Sequence, residues 1–247
     1  MGLGPGRLDC LTGQAVDAIN EAEVILGYKT YMNLVAPLVD GKKLVSSSMT
    51  RELDRAGQAL DLAGQGKTVA LISSGDPGIY AMAAVVFELA ASRKIELGPG
   101  GVSLEVIPGV PAVAAAASLL GAPLSHDFAC ISLSDRLTPW ELIEKRLDLA
   151  AQADFVIALY NPKSKGRPWQ LGHACEIISN WRNPETPVGV VRRALRAGQA
   201  IDLVTLATLA EAEVDMQTMV IVGNSQSFIS KGKMITPRGY IGKYGGA

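Results

Sequence analysis

The sequence predicts an α/β fold, and three observations point to it. Short runs rich in Val, Ile and Leu alternate with longer stretches whose apolar residues recur at helical spacing. Glycine- and proline-rich turns stand where several of those runs end. The chain is 48% hydrophobic and only 19% charged over 247 residues, which excludes disorder and allows one large domain or two modest ones.

Taken in order, strands are expected at Lys43–Ser47, Val69–Ser73, Ser103–Ile107, Ala129–Leu133, Phe155–Leu159, Val188–Arg192, Leu203–Ala207 and Met219–Val222. Helices are expected at Gly13–Glu23, Arg51–Gln65, Ile79–Ala91, Ala112–Leu120, Trp140–Ala150 and Gln170–Trp181. Thr12 is placed to cap the first helix with its hydroxyl. Thr138, followed by Pro139 in the first turn, is expected to cap the helix through Trp140. Composition shifts at Gly121–His126, from Ala- and Gly-rich chain to chain carrying Trp140, Trp169 and Trp181. A boundary there gives α/β domains of residues 1–122 and 123–247, and a cleft between two such domains is a preferred ligand site.

The charge balance, 23 basic against 24 acidic residues, gives no general basic surface for nucleic acid. Cys10, Cys130 and Cys175 are scattered and odd in number, which suits a reducing, cytoplasmic setting rather than a disulfide framework. No pair has zinc-site spacing, and His173 and Cys175 are two apart, so no metal site is expected. The N-terminus shows no charged region leading into an apolar core, and no signal peptide is expected. The apolar stretch Val110–Leu124 is broken by Pro111 and Pro123 and falls short of the roughly 20 residues of a membrane span.

Four segments look chemical rather than structural. Gly2-Leu-Gly-Pro-Gly6 permits close approach of a ligand or of another backbone, and neither reading wins on this loop alone. Ser73-Ser-Gly-Asp-Pro-Gly-Ile-Tyr80 sits at the carboxyl end of an expected strand, where open α/β sheets bind ligands. The competing reading is that Asp76 merely caps the following helix. Ile107-Pro-Gly-Val-Pro-Ala-Val-Ala114 is a second such turn, with helix–sheet packing as its alternative. Ala158–Arg167 carries Lys163, Lys165 and Arg167 off a strand end, either as a solvated loop or as cations for carboxylates.

Together these residues resemble the tetrapyrrole methylases, and within them the ring-contracting enzymes of corrin synthesis. The resemblance spans essentially the whole chain and rests on GLGPG with LT at Gly2–Thr12, GYKTY at Gly27–Tyr31, SSGDPGIYAMA at Ser73–Ala83 and IPGVPA at Ile107–Ala112. It continues through ISLSDRLTPW at Ile131–Trp140, LYNPKSKGR at Leu159–Arg167, VVRRALR at Val190–Arg196, VGNS at Val222–Ser225 and TPRGY at Thr236–Tyr240. The family has a full strand ahead of its glycine loop, whereas Met1 alone precedes it here. An exposed sheet edge and a less well held loop are therefore expected.

The resemblance implies two α/β domains with S-adenosylmethionine (SAM) in the cleft, released as S-adenosylhomocysteine (SAH). Its donor contacts fall on Pro5, Gly75, Asp76, Ile79, Tyr80, Pro111 and Ala112, and on Tyr160, Asn161, Arg193, Ala194, Thr218 and Met219. The implied reaction is methylation of carbon 17 of precorrin-3B with contraction of the ring, carried out by a homodimer. Positioning serves the methyl transfer, while contraction calls for a general acid/base. Asp135, Ser132 and Tyr28 are the leading candidates, with Tyr31 and His126 behind them. A flat macrocycle bearing carboxylates needs cations at its rim, and Arg136 and Arg167 are expected there, with Lys29 and Lys165 as secondary groups. A sister methylase acting at another carbon or on a cobalt-containing precorrin, or a carrier without a donor site, are the competing readings.

Overall fold

Val24-Ile-Leu-Gly-Tyr28 is the strand around which the first half of the chain is built. In the computed structural model, which describes residues 1–48, 51–164 and 166–245, the chain divides into two compact units, Met1–Ala112 and Val113–Ala247. The boundary expected between residues 122 and 123 lies one helix further along.

The first unit contains α1 (Gly13–Glu21), β1 (Val24–Tyr28), α2 (Lys29–Leu34), β2 (Lys43–Ser47), α3 (Glu52–Gly64), β3 (Val69–Leu71) and α4 (Met82–Ser92). Its sheet is parallel with order β2-β1-β3, and β1 is buried from Val24 through Gly27. This central strand was not among those expected. Four apolar residues directly after a helix, with no turn signal between, do not separate from the helix by periodicity alone. Thr12 caps α1 as expected, its Oγ1 accepting from the Ala15 N–H at 3.1 Å. On α3 and α4, Ala56, Leu60, Met82, Val86 and Ala90 interlock as one apolar cluster.

Two expectations need correction here. Ser103–Ile107 forms no strand, because Met1–Gly4, which lies beside it, meets it only where the Gly2 N–H donates to the Ile107 carbonyl at 2.9 Å. A strand without a paired neighbour makes no ladder. The glycine loop, conversely, is firmly held: Leu3 N–H donates to Ser73 O, Ser73 N–H to Met1 O, and Gly4 and Gly75 exchange main-chain bonds of 3.1 and 2.8 Å.

The second unit contains α5 (Ala112–Leu120), β4 (Gly121–Ala122), β5 (Phe128–Ser132), α6 (Trp140–Gln152), β6 (Val156–Tyr160), α7 (Gln170–Ser179), β7 (Pro187–Arg192), β8 (Ala200–Thr205), β9 (Thr218–Val222), β10 (Phe228–Ser230), β11 (Lys233–Ile235) and α8 (Tyr240–Tyr244). A five-stranded sheet runs β5-β6-β9-β7-β8, with β5 and β6 parallel and β9 antiparallel to both β6 and β7. The interior strands β6, β7 and β9 are buried almost end to end, so they read as unbroken apolar runs. Leu120 of α5 packs onto β7 at Gly189, where a Cβ would come within 2.3 Å of its side chain. A small sheet, β10-β11-β4, completes the unit.

Thr138 does not cap α6. Pro139 occupies the cap position with φ −54° and ψ 140°, and no side chain caps the helix. The extended ψ of Pro139 keeps it out of the helix, so the first helical residue is Trp140 and Thr138 stands one residue too early to cap it.

On α7, burial pushes the Cys175 thiol up to about 11 from its ordinary 9.0. The folded state thus holds the neutral thiol, while an unfolded chain ionises it near 9. The stability that Cys175 contributes is complete below about 9 and is lost as pH rises through about 11. Denaturant unfolding across that window should show this loss, and Cys175→Ala should reduce the slope.

Candidate active site

In the first unit, the carboxyl ends of β1 and β3 carry most of the expected residues. After β3 the chain turns at Gly75, whose φ of 68° favours glycine, and reaches Tyr80, which holds φ 52° despite its Cβ. Backbone strain of this kind gathers at ligand sites. Three glycines meet main chain to main chain. A Cβ on Gly109 would lie 2.3 Å from Gly75 O and 2.9 Å from Gly2 Cα, and one on Gly2 would lie 2.5 Å from Gly75 O. The three glycine-bearing loops therefore converge on one point. Pro111 Cα and Ala112 N lie about 4 Å from the open side of Gly75, at 3.9 and 3.8 Å, and buried Pro5 follows Gly4, the partner of Gly75.

Asp76 is no helix cap. Helix α4 starts at Met82 with no side-chain cap, later than the Ile79 start expected. Instead, Asp76 Oδ1 accepts from Gly78 N–H at 2.8 Å and Oδ2 from Gly109 N–H at 3.1 Å. The carboxylate ties two of the glycine loops together, and the Ile79 N–H donates to its carbonyl.

Tyr28 ends β1, its ring standing edge-on to Tyr31 at 5.3 Å. With exposed Lys29, Thr30, Asn33, Ser46 and Ser48 and half-buried Ser47 it lines an open polar depression. Sequence reasoning missed the residue beneath, Arg55, which is buried on α3. Its Nε donates to Ser47 Oγ at 2.8 Å and its Nη2 to Ser48 O at 3.0 Å. Its position on the same helical face as Ala56, Ala59 and Leu60 was the available signal.

In the second unit, the sheet topology brings the expected residues to one edge. The carboxyl ends of β5, β6 and β7 and the amino end of β9 all lie there. They carry Ser132 and Asp135, Tyr160 and Asn161, Arg193 and Ala194, and Thr218 and Met219. Asn161 and Arg193 adopt left-handed conformations, with φ 52° and 49°. Thr218 and Met219 are buried, so they present main chain at the edge; Thr218 Oγ1 donates to Asp215 Oδ1 at 2.8 Å. The Tyr160 hydroxyl accepts from Val113 N–H at 3.3 Å.

Ser132 Oγ receives two donors, Asn161 Nδ2 at 2.9 Å and Ser134 N–H at 3.2 Å, which leaves its own proton to donate. Asp135 Oδ2 accepts from Gln170 Nε2 at 3.1 Å. Gln170, which no sequence motif marks as chemical, is 1% exposed, and its Oε1 is buried without a partner among the described residues. An unsatisfied buried carbonyl is costly, and such groups call for a functional explanation. His126 is spent locally: its exposed ring accepts from Asp127 N–H at 2.8 Å.

The expected rim cations separate. Arg136 and Lys29 are exposed. Lys165 lies outside the described residues. Arg167 is a correction, being 9% exposed with Nη1 donating to the carbonyls of Leu133 and Asn161, each at 3.2 Å. Mutual main-chain bonds between Ser164 and Arg167 turn the loop back so that the side chain re-enters the unit.

A family described as Tetrapyrrole (Corrin/Porphyrin) Methylases matches residues 1–210. The chain belongs to the tetrapyrrole methylases. This tetrapyrrole methylase is 49% identical over 244 residues to the cobalt-factor III methyltransferase of Priestia megaterium, covering 99% of its own length but 45% of that relative. It thus spans just under half of that protein. It is 48% identical over 240 residues to the probable cobalt-factor III C(17)-methyltransferase of Salmonella typhimurium, covering 97% of this chain and 98% of that one. The crystal structure of the methyltransferase CobJ is similar at a TM-score of 0.88 and 40% identity, over 96% of this chain and 97% of the other. Among the described residues, no helix is long and apolar enough to cross a membrane, and no three His, Cys, Asp or Glu groups gather as a metal site.

Proposed function

We propose that this tetrapyrrole methylase transfers a methyl group from SAM to carbon 17 of precorrin-3B and contracts the macrocycle to precorrin-4 in corrin synthesis. The observation that carries the reading is the convergence of the Gly2–Gly6, Ser73–Tyr80 and Ile107–Ala112 loops through glycines that tolerate no Cβ. The residues fit a methyl donor bound largely by main chain. Gly75, Tyr80, Asn161 and Arg193 all hold left-handed backbone, the kind of strain that gathers at ligand sites. Pro5, Asp76, Ile79, Pro111, Ala112, Tyr160, Ala194, Thr218 and Met219 complete the proposed donor contacts.

When bound, SAM supplies an electrophilic methyl carbon. The enamine-like macrocycle carbon that takes it is already nucleophilic, so placement by the protein carries much of the rate. Contraction shifts protons at oxygen. Asp135, fixed at Oδ2 by Gln170, makes no hydrogen bond through Oδ1 among the described residues and can hold or release a proton there. Ser132, with both acceptor positions filled, donates its hydroxyl proton, and Tyr28 is the corresponding group of the first unit. Lys29 and Arg136 meet substrate carboxylates.

The names of the Priestia and Salmonella relatives favour a second substrate, cobalt-factor III, and the Salmonella name gives the same carbon. Incubation with methyl-labelled SAM and each macrocycle in turn, followed by carbon NMR, should place the label on carbon 17 of a contracted ring. A label at another carbon makes it a sister methylase, and tight macrocycle binding without SAH binding makes it a carrier. We place the enzyme in the cytoplasm as a homodimer; sedimentation near the 26.0 kDa of one chain would count against the dimer.

A further inference from the structure

Two buried arginines stand at opposite ends of β6, and they differ in how their charge is met. Arg182 lies at the amino end, 6% exposed, donating to the carbonyls of Ala151, Phe155 and Gly223, with Asp154 Oδ1 3.2 Å from its Nη1. Its charge has a carboxylate partner. Arg167 lies at the carboxyl end, 9% exposed, and among the described residues no carboxylate pairs with it. Its Nη1 bridges Leu133 O and Asn161 O, and its Nη2 meets Met216 Sδ at 3.1 Å. A buried guanidinium without a counter-ion is a costly device for ordinary packing.

What it joins is informative. Leu133 follows β5 and Asn161 follows β6, so one nitrogen holds the exits of two neighbouring parallel strands together. Asn161 sits at φ 52°, a left-handed conformation that asparagine tolerates better than most residues and that its surroundings here fix. Two contacts do so: Asn161 Nδ2 on Ser132 Oγ at 2.9 Å and Arg167 on the Asn161 carbonyl itself.

We propose that Arg167 is a positioning residue of the methyl-donor site, locking the exits of β5 and β6 and holding Asn161 in its left-handed conformation, rather than a cation that meets the tetrapyrrole. This rests on the donor-site reading above. The planar fork bridges two carbonyls from one nitrogen while its second arm packs on Met216 Sδ; a lysine has no second arm and offers one mobile point charge.

The test measures SAH affinity by calorimetry on the parent, R167K, R167M and R182K, with melting curves for each. R167M should bind SAH at least tenfold more weakly while remaining folded at the assay temperature, and R167K should fall between it and the parent. R182K should lower the melting temperature but keep SAH affinity within twofold. If R167M binds as the parent does, or if R182K weakens binding as much as R167M, the inference is overturned. Should R167M not fold, R167K decides, and an unchanged affinity overturns the proposal. A parent that binds neither SAM nor SAH removes the donor-site reading and this inference with it.

Discussion

Asp135→Asn is expected to lower turnover of precorrin-3B by about 10²–10⁴-fold, the range that a positioned general acid/base contributes. The substitution keeps shape and volume. The new amide still offers a carbonyl oxygen to Gln170 Nε2, which now donates to Asp135 Oδ2 at 3.1 Å, so the loop after β5 should hold its place. What disappears is a group able to exchange a proton at Oδ1. SAH affinity and the melting temperature should therefore stay close to those of the parent while the catalytic rate falls. Steady-state rates with both macrocycles, read beside calorimetry, check this. A variant turning over within threefold of the parent would show that the proton moves elsewhere, with Ser132 and Tyr28 next in line.

Gly109→Ala should damage the first unit out of proportion to the one carbon it adds. Its Cβ would come to 2.3 Å from Gly75 O and 2.9 Å from Gly2 Cα, and both contacts are main chain that no rotamer change can relieve. Overpacking of this kind costs about 1–3 kcal/mol. The loops would also part at the hydrogen bond from Gly109 N–H to Asp76 Oδ2. Lower denaturant stability and at least a tenfold loss of SAH affinity are expected together. Gly64→Ala is the matching control: a Cβ at that last residue of α3 meets nothing within 4 Å, and alanine suits a helix better by up to about 1 kcal/mol. Equal loss of stability in both variants would refute the steric account.

Local chemistry was legible from the residues alone. Thr12 capping α1, the extents of β2 and α5, and the buried runs of β6, β7 and β9 follow from hydroxyl geometry and from apolar continuity over a few residues. The glycine loops were visible as candidate ligand turns because glycine clustering and strand-end position are both written in the chain. So was the family, through motifs spread from Gly2 to Tyr240.

Partnership across the chain was decided only in the folded structure. Whether Ser103–Ile107 becomes a strand depends on what lies beside it, and β1 emerges from the end of a helical pattern only because β2 and β3 pair with both its edges. Asp76, read from the sequence as a ligand-loop carboxylate with helix capping as the alternative, ties two loops together because Gly109, distant in sequence, supplies the second donor. Arg167 in a Lys- and Arg-bearing loop reads as a rim cation for substrate carboxylates, yet the turn at Ser164 sends it inward to Leu133 and Asn161. Sequence therefore determines what each residue can offer, a donor, a charge or a bare main chain. Long-range packing determines which of those offers is met, since hydrogen bonds and burial act over a few ångströms in space whatever the separation along the chain.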